Sequence, residues 1–263
     1  MKARVSFFTG LAILSLLFLV GFYLVLLTCT YIQYHPTSLF DLIATPEIRH
    51  AIILSILCAT AATVVALVIA VPASYVLSRK DFVGKIFIDA LLDIPVFVSP
   101  VALGALLLVF FTTPLGKRLQ DQFFPVVFAL PGIVIAQFTV IAGLAARLMK
   151  STFDQIPTRY EEVARTLGCS HLQAFLKVTL PLAKNGILAT SIVSWARAIG
   201  EFGATITLVG AAPRKTETIP TAVYLSFAGA DVDRALTMVA ILILTALSGL
   251  VVIRIIAGKA VPF

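Results

Sequence analysis

Residues 51–78 read AIILSILCATAATVVALVIAVPASYVLS, with no charged side chain between Ala51 and Ser78 and with Arg79-Lys80-Asp81 closing the run. A helix needs about 20 mostly apolar residues to cross the hydrocarbon core of a bilayer. Backbone in lipid must satisfy its own N–H and C=O groups, and the run shows no strand-like alternation, so it predicts a membrane-spanning helix. Working outward, similar runs recur on both sides. The predicted spans are approximately residues 5–29, 51–78, 86–111, 125–147, 185–210 and 235–256, an all-α, six-helix integral membrane protein in which residues 1–263 form a single transmembrane domain. Composition agrees. The 263 residues hold 20 Lys+Arg and 13 Asp+Glu, 13% charged, and 60% are hydrophobic, against about 25% and 45–50% in a soluble domain. With a mean hydropathy of +1.04, this excludes a soluble enzyme, a disordered chain and a secreted disulfide scaffold.

The first span follows Lys2 and Arg4 and has to be weighed against a signal peptide. Its apolar run exceeds the ~7–15 residues of a signal h-region and no A-x-A site follows, so it reads as a retained helix. Orientation follows from the basic residues. With the N-terminus in the cytoplasm, Lys2, Arg4, Arg79, Lys80, Lys85, Arg147, Lys150, Arg159, Arg165, Lys177, Lys184, Arg254 and Lys259 lie inside, 13 of the 20 Lys and Arg, against six outside and Arg197 within a span. Both termini are therefore expected in the cytoplasm. The net charge of +7 then reports topology rather than nucleic-acid binding. Cys29, Cys58 and Cys169 have no metal-like or redox spacing. His35, His50 and His171 are scattered, so no metal site is expected.

The longest cytoplasmic loop, residues 151–184, is itself patterned. Pro157 suits the first turn of a short helix running to Leu167, and Gly168 suits a C-cap that needs φ > 0. Ser170 and Gln173 have capping-box spacing, opening a second helix that Pro181 is expected to end. Two short helices joined at a glycine make a compact knob; a plain helix-turn-helix connection between spans is the alternative. A DNA-binding use is disfavoured by the flanking spans.

The string Glu162-Val163-Ala164, with Gly168 six positions after the glutamate and Val178-Thr179-Leu180-Pro181 nine residues further on, resembles the E-A-A-x-x-x-G-x9-I-x-L-P loop of bacterial and archaeal ABC importer permeases. Val163 and Val178 are conservative departures from Ala and Ile. The resemblance implies a type I ABC importer transmembrane subunit in the cell (inner) membrane of a bacterium or archaeon. Its knob would be a coupling helix docked on a separate ATPase, with Glu162, Ala164, Leu167, Gly168, Ser170 and Pro181 at the docking point. The chain carries no G-x-x-x-x-G-K-[ST] loop. ATP and Mg2+ are thus expected on two partner ATP-binding cassette subunits, with no cofactor and no catalytic residue in this chain. The resemblance also implies a homodimer and an external substrate-binding protein.

Charges inside a span are costly and suggest function. Arg197 and Glu201 lie four apart on one helix face, near the middle of the fifth span, among Gly200 and Gly203. Structural cement between helices is the plainer reading. The surrounding Trp195–Thr205 string resembles permeases for molybdate, tungstate and sulfate. Arg214-Lys215-Thr216-Glu217-Thr218-Ile219-Pro220 with Tyr224 is closer to the molybdate/tungstate branch, and sulfate or thiosulfate is the alternative cargo. Ser194, Arg197, Thr205 and Thr207 could supply donors to an oxyanion, though membrane-helix hydroxyls often satisfy only backbone. Pro95 and Pro100 are expected to break or kink the start of the third span, and the Asp93–Pro100 string resembles one at this place in the oxyanion permeases, which implies a gate segment, while Asp89 and Asp93 are expected on a solvated interfacial face. Pro95, Ser99, Pro100, Ser194, Arg197, Glu201, Gly203 and Thr205 are the candidate pathway residues. An ion-coupled secondary transporter would leave the Glu162–Pro181 pattern unexplained, and an intramembrane hydrolase lacks a catalytic constellation.

Overall fold

The computed structural model describes residues 7–33 and 43–257, and every regular element among them is a helix. In chain order these are α1 (Phe7–Gln33), α2 (Pro46–Arg79), α3 (Lys85–Phe97), α4 (Pro100–Thr112), α5 (Pro114–Gln122) and α6 (Leu130–Asp154). Then follow α7 (Arg159–Thr166), α8 (His171–Ala174), a π-helical turn (Phe175–Thr179), α9 (Leu180–Leu182), α10 (Lys184–Ile199), α11 (Gly203–Val209), α12 (Ile219–Ala228) and α13 (Val232–Ala257). The start of the first predicted span and both chain termini lie outside the described residues.

Four helices, over Thr9–Leu26, Pro46–Arg79, Leu130–Asp154 and Val232–Ile253, are long and apolar enough to cross a bilayer singly. The pairs α3/α4 and α10/α11 reach that length only together, across bends of 111° and 54°. The expected spans 86–111 and 185–210 are therefore each broken. In the first, Pro100 excludes Ser99 from the helical region, leaving it at φ −62° and ψ 144°, and the Ser99 side chain caps α4 by accepting from the Ala102 N–H at 3.3 Å. Other boundaries move because charge marks the edge of the apolar core, not the end of the helix. α2 begins at Pro46 rather than near residue 51, and α6 runs on past Arg147 to Asp154. At about 1.5 Å per residue, a 34-residue α2 exceeds the hydrocarbon core and projects its end beyond it.

The bundle is built on α2 and α6. Small residues recur along α2 at three- and four-residue spacing, Ala51, Ser55, Ala59, Ala62, Ala66, Ala70 and Ser74, and all are buried. That stripe lets backbones approach, which is how helices associate where surrounding lipid is as apolar as leucine. Ala59, Ala62, Ala66 and Ala70 meet Ile141, Ala145 and Ala146 of α6 together with Trp195, Ala198 and Ile199 of α10. The Ser74 hydroxyl donates to the Ala146 carbonyl at 2.7 Å, and the Trp195 indole N–H donates to Thr60 at 3.1 Å. A second cluster joins Leu103 and Phe111 of α4 to Ile133, Ala136 and Val140 of α6 and Ala204 and Leu208 of α11. α12 and α13 pack on the start of α2 through Ile48, Ile219, Ala222, Met238 and Ile241. α1 stays exposed along its described length, outside this core.

Candidate functional site

Two constellations carry the polar chemistry. The first is the knob, α7 with α8. The helix α7 ends in a Schellman motif: the Cys169 N–H donates to the Ala164 carbonyl at 3.1 Å, the Gly168 N–H to the Arg165 carbonyl at 3.0 Å, and Gly168 holds φ +94°. The next turn opens with the capping box. The Gln173 N–H donates to Ser170 Oγ at 3.2 Å and the Ser170 N–H to Gln173 Oε1 at 2.9 Å. Glu162, Leu167, Gly168 and Ser170 are exposed, and Ala164 is buried beneath them. Tyr160, Val163, Leu167, Leu172 and Leu176 add an exposed apolar surface to the same knob.

Pro181 does not end the second helix. The chain continues as helix through α9 to α10, broken only by a turn at Ala183. The π-helical turn just before Pro181, with the Leu180 N–H donating to the Phe175 carbonyl, absorbs the missing N–H and the ring.

The root of the knob was not visible in the motif. Glu161, next to the motif glutamate, faces inward at 9% exposure. Its carboxylate accepts from the Tyr75 hydroxyl at 2.7 Å and from Arg79 Nε at 2.9 Å. Arg79 also donates to the carbonyls of Phe153 at 2.9 Å and Ile156 at 2.8 Å, at the end of α6 and just beyond it. Burial pushes the Glu161 carboxyl up, but the hydrogen bonds from Tyr75 and Arg79 and the arginine charge outweigh it and hold the group below the usual carboxylate range. Tyr75, Phe153 and Phe175 stack around this pair, Tyr75 lying 5.8 Å from Phe153 and 4.6 Å from Phe175 between ring centroids. One sequence signal existed: Glu161 and Ala164 are three apart, on one helix face, so a buried Ala164 turns Glu161 inward and Glu162 outward.

The second constellation is the pair of helix breaks. Gly203 opens α11 directly against Pro100 and Val101 at the start of α4. A Cβ there would meet the Val101 nitrogen at 2.9 Å and Pro100 Cβ at 3.1 Å, so glycine permits this close approach. The structure thus brings Ser99 and Pro100 beside Gly203, whereas Pro95 sits inside α3. Arg197 Nη1 donates to Glu201 Oε2 at 2.7 Å, and Glu201 Oε1 accepts from the Ala204 N–H at 3.0 Å, capping α11. The pair therefore has a structural task, holding the bent joint, while the Arg197 side chain remains 39% exposed. Ser194 and Thr205 are fully buried, and their hydroxyls, like Gln137 Oε1, lack a hydrogen-bond partner. In this conformation they do not line an open passage. Thr207 only satisfies backbone, donating to the Gly203 carbonyl at 2.8 Å.

Asp93 departs from expectation. It forms an ion pair with Arg147 at 19% side-chain exposure, because α3 lies along the second half of α6. Asp89, with Arg147, Lys150 and Asp154, lines a cavity of about 370 Å³ there. The Arg214–Pro220 string is an ordered cap. Thr216 Oγ1 accepts from the Ala212 N–H at 3.0 Å, the Thr218 N–H donates to Thr221 Oγ1 at 2.8 Å, and the Ile219 N–H donates to Ser55 Oγ at 2.9 Å. Beside it Glu217 and Arg234 line a cavity of about 500 Å³. Burial pushes the Glu217 carboxyl above the usual range against the pull of Arg234. Among the described residues no His/Cys/Asp/Glu cluster suits a metal ion.

With this geometry in hand, comparison with known proteins is informative. Residues 62–259 match the family described as binding-protein-dependent transport system inner membrane component. The chain is 35% identical over 177 residues to the molybdenum transport system permease protein of Escherichia coli, covering 66% of this chain and 77% of that one. It is 37% identical over 174 residues to the molybdate/tungstate transport system permease protein of Thermococcus kodakarensis, covering 66% of each. A solved bacterial alginate ABC transporter, in complex with an alginate pentasaccharide-bound periplasmic protein, shares the fold with a TM-score of 0.75 at 16% identity over 98% of this chain and 97% of that chain. An apolar bundle carrying an exposed Glu162–Pro181 knob, matched to the family over most of its length, is an integral membrane protein that belongs to the binding-protein-dependent transport system inner membrane components.

Proposed function

We propose that this chain is the permease subunit of an ATP-driven importer of molybdate or tungstate, working as a homodimer with two ATP-binding subunits and an external binding protein. It crosses the cell membrane of a bacterium or archaeon six times, with α3/α4 and α10/α11 each counted as one crossing and both ends in the cytoplasm. The observation that carries the reading is the knob. A Schellman joint at Gly168 and a capping box at Ser170 fix two short helices into a rigid projection. That projection offers a charged Glu162 and an apolar surface to a partner, as a mechanical contact requires. Cargo follows from the named activities of the 35% and 37% identical relatives and from the Arg214–Pro220 string. An oxyanion selected outside by a binding protein needs only a weak path, and Arg197, half exposed beside two meeting helix breaks, supplies a cation for it.

The test is uptake. The chain is reconstituted with its ATP-binding subunits and binding protein in vesicles, and labelled molybdate, tungstate and sulfate are supplied. ATP-dependent accumulation of molybdate or tungstate is the expected result. Accumulation of sulfate alone overturns the cargo, and accumulation driven by an ion gradient without ATP overturns the mechanism.

A further inference from the structure

We propose that Arg79 and Glu161 are positioning residues, a clamp that makes the knob move as one body with α2 and α6 and so directs the push of the ATP-binding subunits into that pair. This rests on the proposed coupling role of the knob and names the residues through which the push leaves it. α7 has eight residues and α8 has four, below the ~12–15 that an isolated helix needs in water. Their position must therefore come from tertiary contacts.

The knob has two covalent exits, the connection 155–158 to α6 and the π-helical turn to α10. α2 has no nearby chain connection to it, since 82 positions separate Arg79 from Glu161. It is nonetheless bound most firmly. Arg79 bridges Glu161, the Phe153 carbonyl and the Ile156 carbonyl at once, with the ion-pair side chains only 8% and 11% exposed. Charge-assisted bonds so shielded from water are among the strong ones. Ser78 donates to Asp154, joining the same two helix ends again, and the small-residue stripe locks α2 to α6 along their length. The other exit is covalent. It passes through a π-helical turn, a geometry that is rare and clusters at functional sites, then a turn at Ala183, before α10, which is itself broken from α11. The arm fixed by charge therefore runs from the knob to α2 and α6, and α10 follows through its packing on the same two helices.

The experiment uses the assembled complex in vesicles and reads ATP hydrolysed per oxyanion imported. Glu161→Gln keeps the shape and removes the charge. It is expected to assemble and hydrolyse ATP while that ratio rises about tenfold, with Arg79→Lys in between. Spin labels at Lys80 and Thr166, both exposed, are expected to give one narrow distance distribution in the parent and a broad one in Glu161→Gln. An unchanged ratio, or uptake and hydrolysis falling together at constant ratio, overturns the clamp. Should Glu161→Gln fail to assemble, Tyr75→Phe, which deletes one hydrogen bond, is read by the same criteria. If the parent complex imports no oxyanion with ATP, the coupling reading fails, and the spin-label distances still decide whether Arg79 and Glu161 fix the knob.

Discussion

At the root of the knob, both oxygens of Glu161 accept hydrogen bonds, from Tyr75 at 2.7 Å and Arg79 at 2.9 Å, and aromatic rings seal the site. At the break between α10 and α11, Glu201 is as well satisfied, by Arg197 and the Ala204 N–H. Around it, however, the hydroxyls of Ser194 and Thr205 and the amide oxygen of Gln137 are buried without a partner. A buried polar group left unpaired costs about 1–3 kcal/mol. The first region holds one such group, Thr179 Oγ1, and the second holds three.

Substitutions at three positions break or sharpen this contrast, from the largest effect to the smallest. Glu201→Ala removes both the partner of Arg197 and the cap of α11, and is expected to cost about 2–3 kcal/mol. Glu201→Gln, whose carbonyl still caps Ala204, is expected to lose less. Thermal unfolding in detergent measures both, and equal losses would mean that the cap contributes nothing. Gly168→Val forces a β-branched residue to φ +94°, expected to cost about 1–3 kcal/mol locally and to abolish co-purification with the ATP-binding subunits while the bundle stays folded. Normal assembly and uptake in that variant would defeat the coupling role of the knob.

The smallest effect is expected outside both regions, at Glu217. Its carboxyl is pushed above its unfolded value, so the stability tied to its neutral form is full below the unfolded value and is lost as pH rises through the folded one. Glu217→Gln, permanently neutral, should match the parent near pH 4 and unfold at a higher temperature near pH 8. A difference that does not change with pH would show that folding leaves the Glu217 carboxyl at its unfolded value.

Much of the protein was legible because charge is scarce in it. Runs free of charge located the long apolar helices, and turn chemistry located Gly168 and Ser170, since φ > 0 and a capping box depend on nearby residues alone. Pro181 misled for a related reason. Local rules say that proline ends a helix, but a π-helical turn stabilised by surrounding packing let the chain continue. Asp93 misled because its partner Arg147 is far along the chain and meets it only through the way α3 lies on α6.

By itself, the sequence determined that this is an all-α membrane bundle with a knob between its fourth and fifth apolar segments, and that Arg197 and Glu201 share a helix face. These are consequences of hydropathy, periodicity and backbone preference, which act over a few residues. Only the tertiary structure decided that the third and fifth segments are broken and that their breaks touch at Pro100 and Gly203. It alone revealed that Glu161, and not the motif's Glu162, anchors the knob to Arg79. Such pairings join positions scores of residues apart, and they are fixed by which faces must be buried together.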